Sequence, residues 1–249
     1  MTTPRKNNGS FSARERDAVY RAVFERRDVR RDFLPTPIPQ EVLDRMLSAS
    51  HSAGSVGFMQ PWDFVVVQKP QTKRAVKKLF TQTNQDAANR YQGTKNTLYR
   101  SLKLEGILEA PINICVTCSR QRGGPHVLGR STVRDTDLYS TCCAIQNLWL
   151  VARAEGIGVG WVSILDYEAL KGLLGIPRNV KIVAYLCLGY VKEFAVQPDL
   201  EKAGWRSRLP LEQLVHYDQW GNRQEKTVQG KSSIKKSSMK KSPSKKNIA

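Results

Sequence analysis

The sequence has no apolar stretch long enough to cross a membrane. One of its longest apolar runs, around Ile182–Gly189, has the length of a buried strand, whereas a membrane span needs about 18 residues or more. The first residues, Met1-Thr-Thr-Pro-Arg-Lys-Asn-Asn8, also lack the apolar core of a secretion signal. We therefore expect a cytoplasmic protein that makes no membrane contact.

Cysteine and histidine are scarce and are not arranged as a metal site. The chain has five cysteines and three histidines. Cys115 and Cys118 have the CxxC spacing of redox or zinc sites, but no second CxxC or histidine pair accompanies them. All five cysteines lie in apolar segments. We therefore expect no metal, and we expect reduced thiols that pack in the core as small apolar side chains.

Acidic residues are few relative to basic ones, and the formal net charge is +18. Such an excess ordinarily indicates nucleic acid or an anionic surface as a partner. The segment after residue 221 has nine Lys and Arg against one acid, Glu225, so it contributes +8 and leaves +10 for the rest. Its Lys/Ser composition cannot form a core, so we expect residues 222–249 to be a disordered basic tail. The tail is either a solubilising appendage or an arm for nucleic acid or a partner, and we do not expect nucleic acid to be the main partner.

Hydrophobic periodicity predicts an α+β domain over residues 12–221, preceded by a flexible N-terminus over 1–11. A capping box, Ser12-Ala-Arg-Glu15, begins a helix predicted over about 13–27. Further helices are predicted from about residue 40, over most of 70–108, over about 137–155 and over 167–173, with strands at 64–68, 112–118, 159–164 and 182–190. The helix over 137–155 is apolar almost all round, which is typical of a helix buried centrally or in a subunit interface.

Four arginines crowd the end of the first predicted helix, in Glu25-Arg-Arg-Asp-Val-Arg-Arg-Asp32. One interpretation is that cations suit a helix C-terminus and remain solvated. The other is that the guanidinium groups bind a phosphate and the electron-rich end of a cofactor, with Asp28 held among them. In that case we expect the neighbouring cations to keep Asp28 ionised until it is needed for proton transfer.

Glycines and polar residues mark three further segments. Ser55-Val-Gly-Phe-Met-Gln-Pro-Trp62 is either an ordinary loop or one in which Gly57 lets the backbone approach a ligand. Gly158-Val-Gly-Trp-Val-Ser163 places glycines in a strand, which often marks close approach of a ligand or of another backbone. Ser163 is either a plain strand terminus or a group aimed at a ligand. Gly204-Trp-Arg-Ser-Arg-Leu-Pro-Leu-Glu212 has a basic pair near the end of the fold.

Taken together, these segments resemble the nitroreductase-like flavoprotein family, and within it the branch that consumes reduced FMN. The motifs that carry the resemblance are Arg26-Arg-Asp-Val-Arg30, Ser55-Val-Gly-Phe-Met-Gln-Pro-Trp62, Ser101-Leu-Lys-Leu-Glu-Gly106, Asp137-Leu-Tyr-Ser140, Ala144-Ile-Gln-Asn-Leu-Trp149 and Gly158-Val-Gly-Trp-Val-Ser163. Each motif alone is weak, but they occur in order over about residues 15–220. The Lys/Ser tail is not part of the resemblance.

The resemblance implies an α+β fold with a mostly antiparallel central sheet flanked by helices, in an interlocked homodimer with two flavin sites at the subunit interface. It implies oxygen-dependent fragmentation of FMNH2 to 5,6-dimethylbenzimidazole and erythrose 4-phosphate, for the lower ligand of vitamin B12. FMN is then a consumed substrate, O2 a co-substrate, and a separate NAD(P)H-dependent flavin reductase supplies the FMNH2.

The resemblance also implies roles for individual residues. Asp28 is expected to act as an acid/base group and Ser163 to orient the ring and ribityl end. Arg26, Arg27, Arg30 and Arg208 are expected to hold the phosphate and pyrimidine. The other expected flavin contacts are Val29, Ser55, Gly57, Met59, Gln60, Leu104, Trp161 and Val162.

One departure separates this branch from its alternative, an NAD(P)H-dependent nitro- or flavin reductase on the same fold that keeps FMN bound. Ordinary nitroreductases tend to carry Asn two residues before Gln-Pro-Trp, whereas Phe58 stands there in this chain. That difference favours the FMN-consuming branch.

Overall fold

The computed structural model describes residues 9–223. Residues 224–249, which include nearly all of the predicted basic tail, and the first eight residues of the predicted flexible N-terminus lie outside the described part. The chain forms two compact units, of which the first ends at Ser207 and the second begins at Arg208. The boundary predicted at residue 221 therefore falls within the second unit.

Seven helices and four strands make up the regular structure of the described residues. The helices are α1 (Ala13–Glu25), α2 (Gln40–His51), α3 (Pro70–Ala88), α4 (Gly93–Ser101), α5 (Thr136–Ala154), α6 (Tyr167–Leu174) and α7 (Asp199–Lys202). The strands are β1 (Trp62–Val67), β2 (Ile112–Ser119), β3 (Ile157–Val162) and β4 (Val180–Tyr190). Each predicted element is present, with ends shifted by a few residues.

The four strands form one antiparallel sheet in the order β1-β2-β4-β3. The central strands β2 and β4 are buried over most of their length, because helices cover the sheet. Ile114, Leu186 and Leu188 of these strands pack with Ile145 and Leu148 of α5 in the main core cluster. The predicted fold class, an α+β fold with a mostly antiparallel sheet flanked by helices, is confirmed.

The first helix ends two residues earlier than predicted. Its N-terminus has the predicted capping box, in which Ser12 and Glu15 each accept a hydrogen bond from the other's backbone N–H. At its C-terminus, Arg26 turns to an extended backbone with φ −59° and ψ 137°. The chain leaves the helix there because Asp28 forms a parallel β-bridge with Val159 of β3.

The cysteine prediction is wrong for two residues. Cys115, Cys118 and Cys187 are buried free thiols, as expected for small apolar side chains. Cys142 and Cys143 of α5 are exposed in the protomer, because this face of the otherwise buried helix has no covering element in the chain described. Among residues 9–223, no group of His, Cys, Asp and Glu is arranged to hold a metal ion. No helix within the same range is long and apolar enough to cross a lipid bilayer.

The glycines of β3 make room for another backbone. A Cβ at Gly160 would lie 2.0 Å from the carbonyl oxygen of Val29, and a Cβ at Gly158 would lie 2.6 Å from Val191 Cγ1 and 3.0 Å from Val29 Cγ2. The Val29 N–H donates to the Val159 carbonyl at 3.0 Å. Of the two readings of these glycines, close approach of another backbone therefore accounts for what is observed in the protomer.

Replacing Gly160 should loosen this contact. Because the added Cβ meets backbone rather than a flexible side chain, we expect Gly160→Ala to destabilise the protein by about 2 kcal/mol. Gly172→Ala is the control, since it lies in a helix and its Cβ would have nothing within 4 Å. We expect it to be neutral or stabilising by up to about 1 kcal/mol. Urea unfolding of both variants measures the difference, and equal stability of the two would contradict the close approach.

Candidate functional site

Asp28 lies where the chain crosses the edge of the sheet. One carboxylate oxygen, Oδ1, accepts a hydrogen bond from the backbone N–H of Trp161 at 3.0 Å. The other, Oδ2, accepts one from Arg30, with which Asp28 also forms an ion pair. The Asp28 side chain retains 29% exposure and that of Arg30 retains 12%. A titratable group is thus held by two donors at the border between protein and solvent.

The pKa of Asp28 is shifted in the direction opposite to the one that its neighbouring cations alone would produce. Burial raises its pKa, and this outweighs the opposing effects of Arg30, the Trp161 N–H and Arg26. The cations therefore do not dominate this pKa, because removal from water disfavours the charged form more than the cations favour it. That Asp28 is ionised before proton transfer stays a prediction. A carboxyl group with a raised pKa is better suited to exchanging a proton near neutral pH.

The neighbouring arginines are held in different ways. The Arg26 guanidinium stacks over the Trp149 ring at 4.5 Å. Arg27 donates to the carbonyls of Phe24 and Arg26 at 2.9 and 2.7 Å, and also to that of Val196. Trp149 Nε1 in turn donates to the Arg27 carbonyl at 3.2 Å. Arg27 therefore ties the segment to the rest of the protein, in addition to any contact with a ligand.

Two guanidinium nitrogens in this segment suggest a ligand. Arg27 Nε and Arg30 Nε are buried and have no hydrogen-bond partner among the described residues. A buried donor without a partner is unfavourable by about 1–3 kcal/mol. Such donors are explained if an anionic or carbonyl-rich ligand accepts their hydrogen bonds. The phosphate and the pyrimidine carbonyls of a flavin are acceptors of this kind.

The end of β3 supplies the next predicted residues. Trp161 lies partly buried against Trp149, with ring centroids 6.3 Å apart, while the Val162 side chain is buried in the core. Only the backbone of Val162 is therefore available to a ligand. Ser163 follows the last strand residue, is exposed, and makes no hydrogen bond within residues 9–223. Val29 is buried against Gly158, and its side chain serves packing.

A buried carboxylate that was not predicted fixes the segment that carries Leu104. Glu105 is 3% exposed and accepts hydrogen bonds from Lys77 at 2.6 Å, Lys103 at 3.1 Å and the Ile107 N–H at 2.7 Å. The next residue, Gly106, packs so closely on Phe33 that a Cβ would lie 2.5 Å from its ring. Glu105 thereby holds Leu104 beside the segment that contains Arg30. The motif Ser101–Gly106 had indicated this segment but not the role of Glu105.

The segment Ser55–Trp62, called the Ser55 loop below, has a strained backbone. Gly57, Phe58 and Gln60 have φ values of 57°, 51° and 46°, and the latter two lie in a region that side chains other than glycine rarely adopt. A Cβ at Gly57 would lie 2.5 Å from Val127 Cγ1 and 2.8 Å from the Leu128 carbonyl oxygen. Strain of this kind is often found where a loop is shaped for a ligand.

Hydrogen bonds hold the Ser55 loop in this shape. Ser55 Oγ accepts the Gln60 N–H at 3.1 Å, and Arg122 donates to the Gln60 carbonyl at 2.9 Å. Met59 is buried, whereas Phe58 is 81% exposed. The loop therefore presents Phe58 and the backbone around it to the surroundings of the protomer.

The predicted residues form two groups in one protomer. The first, called the Asp28 group, comprises Arg26, Arg27, Asp28, Val29, Arg30, Leu104, Trp161, Val162 and Ser163. It meets α5 at Trp149, whereas the Ser55 loop meets α5 where the Val56 N–H donates to Ser140 Oγ at 3.2 Å. Nine residues of helix separate these contacts, which is about 13 Å along its axis. Arg208 begins the second unit, and its predicted contact stays a prediction.

Neither of two cavities in the protomer contains Asp28 or Ser163. One of about 560 Å³ is lined by residues such as His51, Met59 and Trp62, at the base of the Ser55 loop. The other, of about 860 Å³, is lined by Arg120, Arg130 and Arg134. Because the chemistry-bearing groups lie outside both, the Asp28 group is a half-open surface in the single protomer.

Comparison with known proteins identifies the family. Residues 23–190 match the model of the nitroreductase family. The chain belongs to the nitroreductase family. A 5,6-dimethylbenzimidazole synthase from Rhodospirillum rubrum is 42% identical over 190 residues, which are 76% of this chain and 90% of that protein. Another from Rhodobacter capsulatus is 40% identical over 204 residues, covering 82% and 98% of the two chains. The resemblance found in the motifs, to the nitroreductase family and within it to 5,6-dimethylbenzimidazole synthases, is confirmed.

A solved structure agrees in fold. Iodotyrosine deiodinase bound to FMN and 3-iodo-L-tyrosine superimposes with a TM-score of 0.64 at 19% identity. The match covers 81% of this chain and all of that one. At this identity the similarity supports the nitroreductase fold alone.

The role of Glu105 predicts a pH-dependent loss of stability. Burial alone would raise the pKa of Glu105, but the hydrogen bonds from Lys77, the Ile107 N–H and Lys103 together lower it. A lowered carboxyl pKa contributes stability at neutral pH that is lost as the pH falls through that pKa. We expect Glu105→Gln to destabilise the protein by about 3 kcal/mol at pH 7, and the difference from wild type to shrink below about pH 4.

Glu109→Gln is the matched control for this experiment. Glu109 binds the same lysine, Lys103, at 2.6 Å, but its side chain is 44% exposed. We expect a loss of no more than about 1 kcal/mol. Urea unfolding at both pH values distinguishes the two, and similar losses in both variants would contradict the assigned role of Glu105.

Proposed function

We propose that this protein is a 5,6-dimethylbenzimidazole synthase that fragments FMNH2 with O2, releasing erythrose 4-phosphate, in the synthesis of the lower ligand of cobalamin. The observation that carries the proposal is the identity of 37–42% with three enzymes of that name, each covered over at least 90% of its length. The chemical steps and residue roles below extend that function, and they are supported by the geometry of the Asp28 group.

The residues of the Asp28 group suit a reduced flavin as their ligand. When bound, the flavin supplies the ring that reacts with oxygen and is broken. The arginines of the segment 26–30 bind its anionic phosphate and its pyrimidine carbonyls, which satisfies the unpartnered Nε atoms of Arg27 and Arg30. The backbone around Val29 and Trp161 then fixes the plane of the ligand.

Asp28 moves the proton in this mechanism. Its Oδ1 is aligned by the Trp161 N–H and its Oδ2 by Arg30, so the carboxyl group has one orientation relative to β3. Because burial raises its pKa, it can accept a proton from the substrate and return it without a large change in energy. Ser163, exposed just beyond β3, supplies a hydroxyl that orients the ring and ribityl end of the substrate.

The proposed homodimer completes each site from two chains. Since the Asp28 group and the Ser55 loop contact α5 about 13 Å apart along its axis, a two-fold arrangement of two α5 helices would bring the loop of one chain to the Asp28 group of the other. Gly57, Met59 and Gln60 would then offer backbone and amide groups beside the oxygen site. The assembly also excludes water, which would otherwise favour release of peroxide.

The fate of the flavin tests the proposed function. FMNH2 is mixed anaerobically with excess enzyme, the solution is opened to air, and the flavin spectrum and the products are followed by absorbance and mass spectrometry. We expect permanent loss of the oxidised-flavin absorbance and formation of 5,6-dimethylbenzimidazole. Quantitative return of that absorbance would instead indicate a reductase that keeps its FMN. The FMNH2 is supplied chemically, so the result does not depend on the separate NAD(P)H-dependent reductase expected in the cell.

Ser163→Ala should change which products form, and it should leave binding of the reduced flavin and its reaction with oxygen intact. If the hydroxyl supports an arrangement reached only during fragmentation, its loss should slow product formation by roughly 10²-fold or more. The reduced flavin should still bind and still consume oxygen, but it should return to FMN with hydrogen peroxide. Single turnovers that measure peroxide against dimethylbenzimidazole give the ratio. An unchanged ratio would remove Ser163 from the mechanism.

Mixed dimers test whether two chains build one site. We expect Asp28→Asn to bind FMN within about tenfold of wild type and to form no product, because the acid/base group is lost. Gly57→Ala, which displaces the Ser55 loop, should also be inactive, and Gln60→Glu serves if Gly57→Ala does not fold. A 1:1 mixture of Asp28→Asn with either loop variant should recover about a quarter of wild-type activity. Half of the dimers are mixed, and each mixed dimer has one site that combines the intact Asp28 of one chain with the intact Ser55 loop of the other. No recovery in verified mixed dimers would show that each site belongs to one chain.

A further inference from the structure

Most of the net positive charge outside the C-terminal tail lies on α3, α4 and the residues that flank them. Residues 69–103 contain nine Lys and Arg against a single acid, Asp86, a net charge of +8. Since residues 1–221 carry +10 in total, the rest of that part of the chain is nearly neutral. We refer to residues 69–103 as the basic helix pair.

The charge of the basic helix pair is mostly exposed and is not cancelled locally. Lys77 and Lys103 are paired with Glu105, and Lys73 is buried and donates to the Ala110 carbonyl. The other six are exposed, namely Lys69, Arg74, Lys78, Arg90, Lys95 and Arg100. Within residues 9–223, none of these six forms a salt bridge with a carboxylate.

The basic helix pair borders the Asp28 group on two sides. On its inner face, Val76 and Phe80 pack in one cluster with Val162 and Leu165, which flank Ser163 and Ile164 in the chain. Just after its C-terminal end, Gly106 packs on Phe33, and its Cβ position lies 3.4 Å from the Arg30 carbonyl oxygen. The helices that carry the exposed cations therefore pack next to the residues that we assign to the flavin.

The surface lacks the apolar anchors that a protein partner would use. Protein interfaces derive most of their affinity from a few buried aromatic or aliphatic side chains. Among the described residues, none of the exposed large hydrophobic side chains falls in 69–103. A charged surface without such anchors suits a small, mobile anion better than a docked protein.

We propose that the basic helix pair is an electrostatic steering surface, which guides the phosphate of FMN or FMNH2 to the Asp28 group. A phosphate monoester carries about −1.5 to −2 charges at neutral pH, and fields from clustered charges raise association rates by about 10- to 1,000-fold. Steering raises the association rate of the ligand, whereas the arginines of the Asp28 group stabilise the bound ligand. The identity of the ligand rests on the proposed function.

Stopped-flow binding of oxidised FMN to the full chain tests this role. Arg74→Glu/Lys78→Glu reverses two exposed charges of the basic helix pair. Arg178→Glu/Lys181→Glu is the matched control, because it changes the net charge equally at two exposed residues elsewhere. Association and dissociation rates are measured over a range of salt concentrations with FMN, and with riboflavin, which lacks the phosphate.

We expect Arg74→Glu/Lys78→Glu to lower the association rate of FMN about tenfold at low salt and to flatten its salt dependence. The dissociation rate should stay within about twofold, the control should resemble wild type, and riboflavin should respond neither to salt nor to the variant. The neutral variant Arg74→Gln/Lys78→Gln should be intermediate, which keeps the test valid if charge reversal disturbs folding.

Three results would overturn the proposal. If the association rate of FMN falls equally in the helix-pair variant and in the control, the effect is due to net charge alone. If the association rate of riboflavin falls as much as that of FMN, the phosphate is not the group that is steered. An unchanged FMN association rate, with reduced turnover only when a flavin reductase supplies FMNH2, would assign the surface to protein docking. Because the assay follows binding of oxidised FMN, its outcome is independent of whether 5,6-dimethylbenzimidazole is formed.

Discussion

The candidate site depends on the pairing of Asp28 and Val29 with the edge strand β3. The bond from the Val29 N–H to the Val159 carbonyl, at 3.0 Å, fixes this segment against the strand. The contact is possible only because Gly160 has no Cβ, since a Cβ would lie 2.0 Å from the Val29 carbonyl oxygen. It also covers an edge of the sheet that would otherwise present unpaired backbone groups. The residues proposed to contact the flavin are thus placed by backbone pairing, which is more rigid than a free loop.

The same contact sets the electrostatics of Asp28. By lying against β3, the carboxylate gains the Trp161 N–H but loses part of its hydration. The cations around it therefore have less effect than their number suggests, because Arg26 is stacked on Trp149 and only Arg30 touches the carboxylate. Burial prevails, and the pKa is raised. A surface carboxylate beside as many arginines would have had a lowered pKa and would hold a proton poorly.

The sequence predicted the elements and the family, and it failed where the answer depends on contacts between distant residues. Local hydrophobic patterns predicted all four strands and six of the seven α-helices, and they missed only the four-residue helix α7. The end of α1 was wrong because the β-bridge between Asp28 and Val159, 131 positions apart, interrupts the helix. The direction of the Asp28 pKa shift was missed because charges can be counted in a sequence but burial cannot. Glu105 was missed because its partner Lys77 lies 28 residues away.

The surfaces left open by one protomer support the proposal that two chains build the site. Helix α1 has no buried residue, and Phe24 at its end is 73% exposed. On α5, Tyr139, Cys142 and Cys143 are exposed although the rest of the helix forms the core. Large exposed apolar surface of this kind is typical of an interface. Helix α5 also connects the Asp28 group to the Ser55 loop. A partner chain that covers the exposed face of α5 would therefore bury apolar surface. The same contact would bring the two halves of the site together. In the proposed homodimer, the exposed residues of α5 therefore contribute both to the stability of the dimer and to the assembly of the site.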